Sequence, residues 1–247
     1  MFHLAWGSLA FAGAGGPTTV PFFNDPAITI ANSNVYPSND MSLIAAAQIG
    51  TPITQVRFSS PSIRPTGIPY IRPQLGNSAV PINNTPWMDL RSNPFRVRGK
   101  EEFNIQATAT GVGRANTAIL LQDTRTPVQV GDVFPIRATS AVAAVASTPT
   151  LVTLTWADSL PTGRYMVVWA DLISTTCQFF RLIFVNQTWR PGFSGMVTES
   201  MNQAAVWVPG SLGAWGTFDN ISMPQCEILC SAADATQILY LYVVKIG

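Results

Sequence analysis

Three cysteines, one histidine and thirteen carboxylates are the side chains with which this chain could do covalent or acid–base chemistry. The histidine, His3, lies in an apolar terminal segment, away from any serine–aspartate or cysteine pattern, so a nucleophile–base pair is not expected. Cys226 and Cys230 alternate onto one face of a strand. Together with Cys177 and a distant His3 they offer no zinc spacing, and packed free thiols are the expectation. Glu101 and Glu102 are adjacent, which on a strand points them to opposite faces and rules out a glycosidase pair. Folding could still bring Asp158 to Asp171 or Glu199 to Asp219. The glycine groups at Gly13, Gly15 and Gly16 and at Gly111 and Gly113 have no strand–helix context for phosphate and read as turns. The sequence therefore predicts no enzyme, no metal and no cofactor.

What remains is chemistry of contact. Arg91, Arg96 and Arg98, with Lys100, form the one basic cluster, and pairing with carboxylates such as Asp89 or Glu101 across a subunit boundary is expected. Lysine occurs only at positions 100 and 245, and arginine is the cation favoured at packed interfaces. Trp156 and Trp169 sit in apolar runs and are expected in the core. Trp207 and Trp215 flank VPGSLGAWG and are expected at an exposed binding edge. The net charge of +1 excludes a strong field for nucleic acid.

Only 11% of residues are charged and 47% are hydrophobic, against a usual charged share of about 25%. A surface so poor in charge is expected to be covered by copies of the same chain. The N-terminal MFHLAWGSLAFAGAGG lacks a basic leader and is too short and glycine-broken to span a bilayer. It reads as a β-arm or docking segment that touches a neighbour or an underlying membrane. The odd cysteine count implies no disulfide framework.

Helical patterning is nearly absent, with Ser194–Ala205 the one stretch where a short helix is plausible. The 19 prolines and 18 glycines break the chain into short apolar or alternating runs, the pattern of an all-β sandwich. Expected strands are 27–31, 41–49, 55–59, 103–109, 115–121, 133–139, 151–156, 164–172, 178–185, 204–208, 227–230 and 237–245. The chain also echoes itself. Thr29–Ser33 aligns with Thr155–Ser159, Met41–Ala47 with Tyr165–Leu172, Arg57-Phe58 with Arg181-Leu182, and Arg64-Pro65 with Arg190-Pro191. Phe103–Asp123 lies on Cys226–Ile246 without a gap. Two tandem antiparallel β-sandwiches are therefore expected, spanning 1–125 and 126–247, with 123–131 as the join. One large single jelly roll is the alternative.

Tandem sandwiches of similar length, few charges, long loops after a matching strand and no catalytic signature resemble the double jelly-roll major capsid proteins of icosahedral viruses. That resemblance implies a homotrimer whose six jelly rolls form a pseudo-hexagonal capsomer, contacts with neighbouring capsomers and minor capsid proteins, and a place in the virion after assembly in the host cytoplasm. The chain departs from the family in having no room for large tower loops. The residues expected at assembly contacts are Arg57, Arg91, Arg96, Arg98, Arg181, Trp207 and Trp215. A carbohydrate-binding or adhesin module using the loop tryptophans is the reading from another class, and a β-sandwich hydrolase is the third.

Overall fold

The computed structural model describes residues 1–25, 28–31, 34–50, 52–61, 70–71, 87–124, 127–129, 131–196 and 210–247. The chain divides into two compact units, one of Leu4–Ala79 with Thr85–Asp123, the other of Thr124–Gly247 with Met1–His3. Among the described residues every helix or strand element is a strand, and the ladders of β5 with β11, β10 with β2 and β6, β20 with β12 and β15, and β16 with β19 are antiparallel.

The N-terminal sandwich uses β1 (Phe2–Phe11), β2 (Gly15–Thr19), β5 (Met41–Ile49), β6 (Ile53–Ser59), β7 (Tyr70–Ile71), β8 (Met88–Asp89), β9 (Phe95–Val97), β10 (Asn104–Ala109) and β11 (Gly113–Gln122). One sheet runs β1-β11-β5-β8, with β9 also on β5; the other runs β2-β10-β6-β7. A small hairpin, β3 (Thr29–Ala31) and β4 (Asn34–Tyr36), stands between the second and third strands of this series.

The C-terminal sandwich uses β12 (Val133–Ser140), β13 (Thr150–Val152), β15 (Arg164–Ile173), β16 (Cys177–Ile183), β17 (Gly192–Ser194), β18 (Gly216–Asp219), β19 (Gln225–Cys230) and β20 (Gln237–Lys245). Its sheets run β12-β20-β15-β18 and β13-β19-β16-β17, with β14 (Thr155–Trp156) added on the free edge of β12. Leaving out β9, the β3–β4 hairpin and the added β14, and numbering the remaining eight strands of each unit in chain order, both units read 1-8-3-6 in one sheet and 2-7-4-5 in the other. That is the double Greek key of a jelly roll, made twice.

The two copies agree down to their irregularities. Ile44 is the extra residue of a bulge in β5 against β11, and Val168 is the extra residue in β15 against β20. Thr54 is skipped in β6 against β10, and Gln178 in β16 against β19. Within each pair the second residue follows the first at the same spacing that separates Arg57 from Arg181. A bulge bends and twists its strand and re-aims side chains, so shared bulges mean shared sheet shape. The ungapped match of Phe103–Asp123 to Cys226–Ile246 needs correction. The ladders make Gln106 and Glu227 equivalent, two positions from that alignment, and Leu120 and Tyr242 equivalent, one position from it. A shift of one residue reverses the face of every side chain, so this difference decides which residues correspond.

Core packing follows the apolar runs. Met41, Leu43, Ala45, Ala46, Ala47 and Ile49 are buried on β5, as are Tyr165 to Ala170 on β15, so both faces of each strand are covered. The N-terminal segment, expected as a β-arm or docking segment, is strand β1. Phe2, Leu4, Ala5 and Trp6 are all buried, which leaves none of them to enter a membrane or a neighbour. Short strands outside the expected set include β2, β4, β7, β8, β9, β17 and β18, each of two to five residues, too short to show an alternating pattern. At Gly192 β17 approaches β16 so closely that a Cβ would collide with the Phe180 carbonyl, and only glycine fits. The helix-prone stretch beyond Met196 lies outside the described residues, as do the expected strand 204–208 and the Arg64-Pro65 corner.

Candidate assembly surface

The residues expected to make contacts between subunits divide sharply once placed. On β16, Arg181 faces Glu227 across the ladder, with Nε 2.6 Å from Oε2. Only 1% of the arginine side chain is exposed, and Arg190 adds a second guanidinium 3.3 Å from the same oxygen. A charge this enclosed is held inside its own unit, so Arg181 is corrected from an assembly contact to a structural ion pair. Arg57 occupies the equivalent place on β6, half-buried, and donates from Nε to Oε1 of Gln106 at 2.7 Å. It too has a partner within its own sheet.

The basic cluster keeps its exposure but finds its partners at home. Arg91 makes a two-pronged contact with Asp89 two residues away, Nε to Oδ1 at 2.9 Å and the terminal nitrogen to Oδ2 at 2.7 Å. Those bonds hold the Asp89 carboxyl below its ordinary range. Arg96 bonds the Asp40 carboxylate, which also accepts the Gly99 N–H at 2.9 Å. The Gly99 N–H first, and Arg96 second, lower the Asp40 carboxyl. Asp89 therefore pairs within the chain rather than across a boundary. Arg96 and Arg98 stand exposed at the β9 edge, where such surface pairs add little stability and leave the guanidinium faces open.

The tryptophans are corrected more strongly. Trp215 is 2% exposed, and its ring meets Phe2 and Trp169 edge-on and stacks with Phe180. It fills a core and cannot offer a face to a sugar. Trp169 is buried as expected, whereas Trp156, on the short edge strand β14, is only half-buried. Trp207 lies outside the described residues. His3 is buried, with Nδ1 accepting the Arg190 N–H at 2.9 Å and its ring edge-on to Trp189.

The carboxylates do not assemble. Asp158 accepts the Arg137 N–H from the β14 end, while Asp171 lies on β15, two intervening strands away and thus about 14 Å off. Glu199 is outside the described residues. Among the described residues no group of three or more His, Cys, Asp or Glu could hold a metal ion, and no helix is long and apolar enough to cross a membrane.

A recess of about 320 Å³ opens on the C-terminal unit between the turn after β16 and the end of β18, lined by Arg164, Val185, Gln187, Thr217, Asp219 and Ser222. Arg164 donates to the Thr217 hydroxyl at 3.0 Å, and Gln187 Nε2 to the Thr217 carbonyl at 3.2 Å, so its polar walls are already engaged. Ile221, in the turn after β18, is 90% exposed, and Val185 at the recess is 61% exposed, which makes them large apolar side chains left open to water. No signal in the sequence marked them, because an isolated Ile or Val in a turn has no periodicity.

No family model matches this chain, and no curated protein does. Among solved structures, the crystal structure of the major capsid protein P2 from bacteriophage PM2 aligns over 100% of this chain and 98% of its own, at 8% identity and a TM-score of 0.24.

Proposed function

We propose that this chain is a structural coat subunit of an icosahedral virus, self-assembling as a homotrimer whose six jelly rolls tile a pseudo-hexagonal capsomer that packs against its neighbours in the virion. The observation that carries this reading is the repetition of one strand order, 1-8-3-6 over 2-7-4-5, with bulges at equivalent positions in both halves. Two like units on one chain let three chains present six like edges, so a threefold assembly can occupy a site of near sixfold shape. Jelly rolls serve as capsid and lectin domains, and the enclosed Trp215 weighs against the lectin use. The low charge and the exposed Val185 and Ile221 suit a surface covered by further copies. We read the chain as non-enzymatic.

Light scattering coupled to sizing, followed by negative-stain imaging, tests the reading. A particle of three 26.6 kDa chains with a hexagonal outline is expected. A monomer that persists at every concentration and salt condition overturns it.

A further inference from the structure

Cys177 is the first residue of β16 and Cys230 the last of β19, and the two stand directly opposite each other. The Ser231 N–H donates to the Thr176 carbonyl at 2.9 Å, just outside the pair. A bond in that position marks Cys177 and Cys230 as a non-hydrogen-bonded pair, the kind with Cα atoms about 4.5 Å apart and side chains closest together. Disulfides form over Cα separations of about 4.4–6.8 Å. Cα–Cβ bonds of directly opposed residues project to the same side of a sheet, so both sulfurs occupy one pocket. We propose that Cys177 and Cys230 are a disulfide-forming pair, reduced in a reducing compartment and joined by a peroxide-class oxidant when the protein leaves it.

The surroundings fit that chemistry. The Cys177 S–H lies 3.2 Å from the Phe179 carbonyl and within hydrogen-bonding reach of the Cys230 sulfur. The donation from Cys177, aided by the Thr176 hydroxyl, holds the Cys230 thiol below its ordinary range, while burial pushes Cys177 up. Hydrogen bonding therefore favours the thiolate at Cys230. Cys226, four residues back on the same strand, faces Leu182 and is pushed up by burial, so it is the unreactive control within the same chain. Both members of the pair are buried, but they lie at the end of the ladder under exposed Thr175, Ala232 and Ala233, where local opening costs least.

The reaction balances in two steps. The Cys230 thiolate attacks one oxygen of hydrogen peroxide, the O–O bond breaks, and the departing hydroxide takes up a proton to leave as water, giving the sulfenic acid. The Cys177 sulfur then attacks the Cys230 sulfur, its proton goes to the leaving hydroxide, and a second water departs. Two thiols have lost two electrons, and the peroxide has gained them.

The test uses the full chain, treated with hydrogen peroxide at neutral pH, quenched with a thiol alkylator in acid and mapped without reduction. Cleavage at glutamate separates Cys226 from Cys230, because Glu227 lies between them. The expected result is a mass loss of about 2 Da before alkylation, Cys177 joined to Cys230, and Cys226 alkylated. The linked form should melt about 5 °C or more above the reduced form, since the bond closes a long loop of the unfolded chain. Cys226→Ser should leave the link intact, and Cys177→Ser should abolish it. Any bond that includes Cys226 overturns the proposal. So do thiols that stay reduced at a dose that fully oxidises an exposed cysteine in an added peptide.

Discussion

Arg181 and Glu227 meet at 2.6 Å across β16 and β19, and Arg57 and Gln106 meet at 2.7 Å at the equivalent station of the other sandwich. One copy closes this station with two opposite charges, the other with an arginine and a neutral amide. The difference tracks burial, because the Arg181 side chain is enclosed while Arg57 reaches water. Glu227→Ala should therefore cost about 3–5 kcal/mol, since it removes the carboxylate paired with a buried guanidinium. Gln106→Ala should cost about 1 kcal/mol, the net value of an ordinary hydrogen bond. Urea unfolding of the two variants checks the contrast, and equal losses would count against it.

Deleting Val168 removes the unpaired bulge residue of β15, so that Val167 and Trp169 follow each other opposite Val243 and Tyr242 and every later pair is kept. The sheet would lose the bend and twist that the bulge supplies, together with the buried Val168 side chain, and a loss of about 1–3 kcal/mol is expected. Deleting Ile44 should do the same to the N-terminal sandwich, because it occupies the matching bulge. Circular dichroism and proteolysis of the purified variants read the outcome.

Trp215 is expected to act only through packing. Its Nε1 is buried with no hydrogen-bond partner among the described residues, so Trp215→Phe gives up no bond, loses part of a buried ring and should cost about 1–2 kcal/mol. Trp215→Ala leaves a cavity among Phe2, Trp169 and Phe180 and should cost about 3–5 kcal/mol. Neither change should alter tryptophan fluorescence on adding oligosaccharides, which an exposed sugar-binding ring would require.

Asp171 gives a pH signature. Burial raises its carboxyl above the ordinary value, more than the hydrogen bonds from Trp169 Nε1 at 2.9 Å and from the Tyr242 hydroxyl can offset. A carboxyl held tighter to its proton in the folded state stabilises the fold below its unfolded value, and that contribution is lost as pH rises through the folded value. Asp171→Asn keeps the acceptor and removes the charge. It should raise Tm by about 2–4 °C at pH 8 and make no difference near pH 3. Calorimetry across that range decides it, and a gain that persists at pH 3 would rule out titration as the cause.

Ile221→Asp, alone and with Val185→Asp, should block assembly while leaving the fold intact, since both side chains already face water. Unfolding midpoints within about 0.5 kcal/mol of the parent are expected, as for surface changes away from packed features. Sizing should then show the particle shifted toward single chains. An unchanged particle would place the contact elsewhere, with exposed Arg96 and Arg98 at the β9 edge the next surface to charge-reverse.

The sequence by itself determined the class of the protein and the backbone of its repeat. The runs at β5, β12 and β20 are dense in apolar or β-branched residues and stopped by glycine, proline or polar turns, so their strands are local facts. The match of Arg57 to Arg181 was equally readable, because both sit at one position of similar strands. Tertiary structure alone decided what these residues touch. Trp215 looked exposed beside its glycines and is enclosed by Phe2 and Phe180, which lie far from it in the chain. The N-terminal β-arm is a covered strand, packed so closely that a Cβ at Gly7 would meet the Pro21 carbonyl. The pairing of Cys177 with Cys230, and the two-residue correction between β10 and β19, follow from ladder register, which bulges shift. Register is a property of two strands meeting, and neither strand encodes it alone.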